Sequence, residues 1–162
     1  MNIFVKTLAV ASALFLLAAC DTTPNKNGGA NGNGSTATGN ASPGTQEDLA
    51  QNVGDRVFFE YNSSELTADA QHTLDRQVAW LKQYGKLNVT VEGHCDERGT
   101  REYNLALGER RAAAAKKYLV AAGIPAGRVS TISYGKERPA VVGDDESAWS
   151  QNRRAVTVVT GQ

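Results

Sequence analysis

The chain has 162 residues, and its 17 basic and 17 acidic side chains give a formal net charge of zero. That length fits one modest domain with extensions, and the balanced charge argues against nucleic acid as a partner. No apolar run is long enough to cross a bilayer as a helix.

Residues 1–19 are typical of a secretion signal. Lys6 supplies the positive charge, and a short apolar run follows it. The run ends in Leu17-Ala18-Ala19-Cys20, which resembles the bacterial lipobox, where the cysteine is lipidated and exposed by cleavage. The alternative is an ordinary signal peptide whose cleavage site contains a cysteine. We predict a lipid anchor at Cys20, because two or three acyl chains hold a protein stably on a membrane.

Residues 20–52 are predicted to form a disordered tether. From Asp21 to about Gly44 the chain is built of Asn, Gly, Ser, Thr and Pro with few apolar side chains. Such a segment buries too little surface to offset the entropy lost on ordering. A single folded domain is therefore expected over residues 53–162.

Hydrophobic periodicity predicts the elements of this domain. Leu74, Val78 and Leu81 mark one face of a helix that Thr67 caps, whereas Val89 and Val91 alternate with polar residues as in a strand. In chain order we predict a strand at 57–61, helix at 68–84, strand at 88–93, helix at 104–122, strand at 129–134, polar loop at 135–152 and strand at 153–160. This order predicts an α/β (α+β) two-layer sandwich, β-α-β-α-β-β, with helices on one face of a mixed sheet and an antiparallel last strand.

The most informative segment connects the second strand to the second helix. It reads Gly93-His94-Cys95-Asp96-Glu97-Arg98-Gly99-Thr100 and continues to Glu109-Arg110-Arg111-Ala112. Loops at the carboxyl ends of strands commonly bind ligands, and Asp96 with Arg111 suits a ligand that carries both signs of charge. The segment closely resembles the signature of the OmpA-like peptidoglycan-binding family, and the resemblance covers about residues 56–159.

The resemblance implies a binding site for meso-diaminopimelate, the diamino acid of Gram-negative peptidoglycan stems. Asp96 would accept its ammonium group, and Arg111 would hold its carboxylate. Arg110 should face elsewhere, because adjacent helical positions point about 100° apart. Asn104 has an equal alternative role as an ordinary helix N-cap, and Phe58 is expected in the core. The further groove residues that the resemblance implies are Glu97, Arg98, Thr100, Asn104, Leu105, Phe59 and Asn62.

An enzyme, a cell-wall amidase or peptidase, is the competing hypothesis. His94, Cys95 and Asp96 are consecutive, whereas the members of a catalytic triad meet in space from separate positions. Only one other histidine, His72, is present, so we expect no metal site, no cofactor and no catalytic residues. Cys95 is predicted to be a small packed side chain, and His94 a hydrogen-bonded structural residue.

The resemblance also implies partners and a location. TolB and possibly TolA would bind the domain, which would face the periplasm from an outer-membrane lipid anchor and support membrane integrity and constriction at division. Asp21 directly after Cys20 leaves retention in the inner membrane open. The arginines of Asn152-Arg153-Arg154 are expected to fix the last strand to the acidic loop before it, rather than to touch the ligand.

Overall fold

The computed structural model describes residues 41–161. The predicted signal peptide, the lipidation site Cys20 with Asp21, and the tether as far as residue 40 lie outside the described residues. Within residues 41–161, none of the helices has the length and apolar character needed to span a bilayer.

The described part of the chain forms a four-stranded sheet with helices. Its elements in order are α1 (Gln46–Asp48), β1 (Arg56–Phe58), α2 (Ala68–Gln83), β2 (Asn88–His94), α3 (Arg101–Ala121), β3 (Val129–Gly135), α4 (Glu146–Asn152) and β4 (Arg154–Gly161). The strands lie in the order β1-β4-β2-β3. β2 and β3 are parallel, and β4 is antiparallel to both of its neighbours. The predicted α/β fold with a mixed sheet and an antiparallel last strand is confirmed.

One core joins the sheet to the two long helices. Val89 and Val91 of β2 are buried together with Leu74 and Leu81 of α2 and Leu119 of α3, as the predicted periodicities require. α3 approaches β2 closely, because Gly93 and Gly108 have no side chains: a Cβ on Gly93 would collide with the Gly108 carbonyl. This contact places the first turns of α3 over the carboxyl end of β2.

The domain begins earlier than predicted. α1 continues into a π-helical turn at Leu49–Val53, so residues 46–52 are not part of a disordered tether. Leu49 is fully buried, and the Trp80 indole N–H donates to the Asp48 carboxylate at 2.8 Å. The local sequence is mostly polar, but one apolar side chain and one carboxylate find partners on α2, and these tertiary contacts offset the ordering entropy.

The faces of β1 also differ from the prediction. Phe58, expected in the core, is 46% exposed, whereas Phe59 is buried with Val57. Side chains alternate along a strand, so Val57 and Phe59 share the face that meets the helices. The predicted role of Phe58 is therefore wrong.

One unpredicted helix and one helix boundary are corrected as well. α4 lies within the segment predicted as loop, and it starts where the Asp145 carboxylate accepts from the Ala148 N–H at 2.9 Å. α3 starts at Arg101, because the Thr100 hydroxyl accepts from the Tyr103 N–H at 3.2 Å. Thr100 is thus the N-cap, and Asn104 lies inside the helix.

Candidate functional site

A cavity of about 160 Å³ opens where β2 ends and α3 begins. Five of the predicted site residues line it: Asn62, Asp96, Arg98, Asn104 and Arg111. The other lining residues are Tyr61, Cys95, Gly99, Tyr103 and Leu107. The fold therefore brings the loop after β1, the loop after β2 and the first turns of α3 together around one small polar space.

Arg111 is a fully buried cation at this cavity. Its guanidinium donates to three backbone carbonyls, those of Ser63 at 2.8 Å, His94 at 2.9 Å and Glu60 at 3.1 Å. Two of the five N–H groups of a guanidinium remain for another acceptor. No carboxylate of the described residues pairs with it, and burial lowers the pKa of Arg111. The site thus holds a positive charge that carbonyl dipoles compensate only in part.

Asp96 supplies the opposite charge on the same cavity and is 5% exposed. The Arg98 side chain donates to its carboxylate at 2.6 and 3.2 Å, and the Arg98 backbone N–H donates at 3.1 Å. Burial alone would raise the pKa of Asp96, but the hydrogen bonds and charge of Arg98 outweigh it and leave that pKa below its ordinary value. Asp96 is therefore an anion at neutral pH.

Two aromatic rings hold Arg98. Its guanidinium carbon lies 4.1 Å from the ring centre of Tyr61 and 3.9 Å from that of Trp149. The Trp149 indole N–H donates to the Glu97 carboxylate at 3.1 Å. α4 thereby packs against the loop that carries Asp96, and cation–π contacts of this kind each contribute on the order of 0.5–1 kcal/mol when exposed.

Arg153, directly before β4, contacts both the residue after β1 and the Asp96 carboxylate. Its Nε donates to the Phe59 carbonyl at 3.0 Å, its Nη2 pairs with Glu146 at 2.6 Å, and its Nη1 lies 3.6 Å from the Asp96 carboxylate. Arg154 donates to the Arg138 carbonyl at 3.1 Å. Both arginines thus fix β4 to the preceding segment, in agreement with the predicted arrangement.

Predicted groove residues also shape the site through contacts outside the cavity. Asn104 lines it and also donates to the carbonyls of Arg98 at 2.8 Å and Thr100 at 3.0 Å, which holds the turn at Gly99, where φ is +90°. Phe59 is buried, with the Arg111 guanidinium 5.3 Å from its ring centre. The predicted residues outside the cavity wall are Phe59, Glu97, Thr100 and Leu105.

His94 and Cys95 lack the properties of catalytic groups. Burial raises the pKa of the Cys95 thiol, and the side chain is 2% exposed, so a reactive thiolate is disfavoured. Burial, followed by the charge of Arg154, lowers the pKa of His94 to about 4. Neither ring nitrogen of His94 has a hydrogen-bond partner at strict geometry among residues 41–161, and Nε2 lies 3.6 Å from the Glu92 carboxylate. The buried position agrees with the predicted structural role of His94. The packed position of Cys95 agrees with the prediction.

Three aromatic residues of the site were not predicted from the sequence: Tyr61, Tyr103 and Trp149. Tyr61 and Tyr103 line the cavity and are 61% and 45% exposed, and the Tyr103 hydroxyl hydrogen-bonds the Asn62 side chain. Trp149 reaches the site from α4. Tyr61 and Tyr103 each stand next to a predicted site asparagine in the sequence, so the sequence could have indicated them as site residues. The contribution of Trp149 depends on the fold alone.

Comparison with known proteins gives the family. Residues 58–153 match the OmpA family. The peptidoglycan-associated lipoprotein of Agrobacterium fabrum is 56% identical over 96% of this chain and 85% of its own, and that of Rhizobium meliloti is 63% identical over 76% and 70%. The crystal structure of the peptidoglycan-associated lipoprotein from Burkholderia pseudomallei superposes with a TM-score of 0.65 at 35% identity, covering 70% of this chain and all of that one.

A more distant structure shares only the fold. The C-terminal domain of Helicobacter pylori MotB has a TM-score of 0.62 at 21% identity, covering 67% of this chain and 85% of that one. The family match and the relatives of high identity show that the chain belongs to the OmpA family, and the two relatives named above, from Agrobacterium fabrum and Rhizobium meliloti, are peptidoglycan-associated lipoproteins.

Proposed function

We propose that the chain is a non-catalytic peptidoglycan-binding lipoprotein. The observation that carries the proposal is the presence of two opposite charges, Arg111 and Asp96, at one cavity. Arg111 is a buried cation without a carboxylate partner among the described residues, and Asp96 is an anion that lines the same cavity. A buried charge is costly unless it is paired, so the cavity favours a ligand that brings both a carboxylate and an ammonium.

The far end of meso-diaminopimelate has this chemistry. It carries an ammonium and a carboxylate on one carbon, which is small enough for a cavity of about 160 Å³. The carboxylate would accept the two free N–H groups of Arg111 in charge-assisted hydrogen bonds. The ammonium would approach Asp96 and take part of the place that Arg98 now occupies.

The relatives support the wider setting. Their shared name describes lipoproteins associated with peptidoglycan, and it agrees with a lipid anchor at Cys20. We place the domain in the periplasm on an outer-membrane anchor, where it would connect that membrane to the cell wall as part of the Tol–Pal system. TolB and TolA would be its protein partners, and the connection would serve membrane integrity and constriction at division.

Binding to isolated sacculi tests the ligand. The chain should cosediment with diaminopimelate-type sacculi and much less with lysine-type sacculi, because lysine lacks the terminal carboxylate that Arg111 would bind. The chain should release no soluble fragments during incubation. Equal binding to both types contradicts the proposed ligand, and released stem peptides would establish the amidase or peptidase alternative.

Membrane fractionation of a Cys20→Ser variant tests the anchor. The substitution should move the chain from the outer-membrane fraction to the soluble periplasmic fraction while sacculus binding is kept, because the anchor and the folded domain are separate units. Wild-type protein in the inner-membrane fraction would show that Asp21 retains it there. Unchanged membrane association of the variant would contradict lipidation at Cys20.

A further inference from the structure

A second concave surface lies along the free edge of the sheet. β1 is an edge strand, with β4 on one side only. Its other side borders a groove of about 720 Å³ that β1, the start of α2 and the end of α4 line together. This groove, which we call the β1 groove, is larger than the cavity at Asp96 and lies within the size range of ligand sites.

The backbone of β1 offers unpaired hydrogen-bonding groups to the β1 groove. The Asp55 carbonyl accepts from the Thr157 N–H at 2.7 Å, and the Phe59 N–H donates to the Arg153 carbonyl at 2.9 Å. The direction in which the backbone N–H and C=O groups point alternates along an antiparallel strand. In β1 these groups therefore point toward β4 at the odd-numbered residues. The N–H and C=O groups of Arg56 and Phe58 therefore point into the groove, where no strand of the described part pairs with them.

The side chains around the β1 groove give it an apolar and acidic character. Phe58 is 46% exposed there. The two basic residues that line the groove already form ion pairs, Arg56 with Asp55 at 2.8 Å and Arg153 with Glu146 at 2.6 Å. The carboxylates of Glu60 and Asp69 also line the groove, and neither forms an ion pair within residues 41–161.

We propose that the β1 groove binds an extended segment of a partner protein, which adds beside β1 as a fifth strand and carries lysine or arginine side chains. Strand addition satisfies the unpaired backbone groups of Arg56 and Phe58 and covers the Phe58 ring. The free carboxylates select basic side chains. The concave shape admits a single extended chain more readily than the flat edge of a second folded sheet. A strand of three residues makes few hydrogen bonds, so the complex is weak and reversible.

Amide chemical shifts of the labelled full-length chain, carrying Cys20→Ser to remove the anchor, test the proposal. The probe is a blocked seven-residue peptide of alternating threonine and valine with a lysine at each end. It should shift the Arg56 and Phe58 amides in a saturable way at millimolar concentration, whereas cavity residues such as Asn104 stay unchanged. The same peptide with glutamate ends should bind several-fold more weakly, because it meets Glu60 and Asp69.

Proline substitution separates the strand edge from the fold. Phe58→Pro removes the outward N–H together with the ring. Edge strands tolerate the loss of such an N–H, so the variant should keep its fold and lose more than tenfold in peptide affinity, and a loss beyond that of Phe58→Ala reports on the backbone edge. Phe58→Ala keeps the backbone and should weaken binding several-fold, which gives a second reading if the proline variant does not fold. Val142→Pro, at a residue 91% exposed in the loop before α4, is the matched control and should bind as wild type does.

Four outcomes overturn the proposal. The first is the absence of shifts at Arg56 and Phe58, and the second is equal peptide affinity of wild type and Phe58→Pro. The third is a dependence of these shifts on protein concentration without peptide, which would assign the edge to a second copy. The fourth is a shift of the same amides on deletion of residues 21–40, which would assign the edge to this chain's own segment. None of these outcomes touches sacculus binding, so the peptidoglycan proposal is tested independently.

Discussion

The two arginines on the cavity, Arg98 and Arg111, are built in opposite ways. Arg98 lies on a surface loop, bonds the Asp96 carboxylate and stacks between Tyr61 and Trp149. Arg111 lies within α3, has no exposed surface and bonds only carbonyls. The hydrogen bonds of Asp96 raise the pKa of Arg98, whereas burial lowers that of Arg111. The first arginine is already neutralised within the described part of the protein, and the second is not.

This difference gives the two arginines different roles: Arg98 stabilises a loop, and Arg111 is available to bind a ligand. A salt bridge at a partly exposed position contributes about 0–1 kcal/mol, so Arg98 mainly keeps Asp96 charged and in place. A buried cation without a counter-ion gains more from a ligand carboxylate, because little water competes for it. Arg111 is therefore the residue on which affinity should depend most.

The largest effect is expected from Arg111. Arg111→Lys should abolish measurable cosedimentation with diaminopimelate-type sacculi, because lysine keeps the charge but cannot form the planar two-donor contact. A hydrogen bond to a charged group contributes about 1.5–3 kcal/mol, so loss of the two-donor contact is enough to erase modest binding. Its neighbour provides the control: Arg110→Lys should bind normally, since Arg110 is exposed outside the cavity. Thermal unfolding of both variants shows whether the fold is kept. Equal losses of binding in the two would show that affinity does not depend on the buried position of Arg111 at the cavity.

An intermediate effect is expected from the charge of Asp96. Its folded pKa lies below its ordinary value, so Asp96 stabilises the fold fully above about pH 4 and loses this contribution as pH falls through the folded pKa. Urea unfolding at several pH values between 2 and 6 should therefore show a steeper acid loss in wild type than in Asp96→Asn. The variant should also bind diaminopimelate-type sacculi weakly at neutral pH. Identical acid profiles would show that Arg98 does not hold Asp96 as an anion.

The smallest effect is expected from the aromatic support of Arg98. Trp149→Ala removes one stacked ring and the hydrogen bond to Glu97 but leaves the Asp96–Arg98 pair in place. Stability and sacculus affinity should each fall by about 1 kcal/mol. Titration of sacculi with the variant, beside Val142→Ala as an exposed control from the loop before α4, measures the change. A loss as large as that of Arg111→Lys would make α4 a part of the binding surface.

The order of the main elements and the segment that carries the site could be predicted from the amino-acid sequence. Periodicity alone marked the faces of α2 and β2, because an apolar stripe at i, i+4 and i+7 and strict alternation are different patterns. The run from Gly93 to Ala112 pointed to Asp96 and Arg111, and both line the cavity.

The surroundings of Asp96 and Arg111 depend on contacts that the folded chain makes between distant segments. Leu49, Phe58 and Trp149 were misassigned or missed, because a side chain in a short strand or a polar segment is buried or exposed according to distant partners. Residues 46–53 fold because Asp48 and Leu49 meet α2, and α4 reaches the site because Trp149 meets Arg98, a residue of the loop after β2. The sequence also could not show that Arg111 lacks a carboxylate partner among residues 41–161 while Arg98 has one. That difference depends on distances between segments that are far apart in the chain.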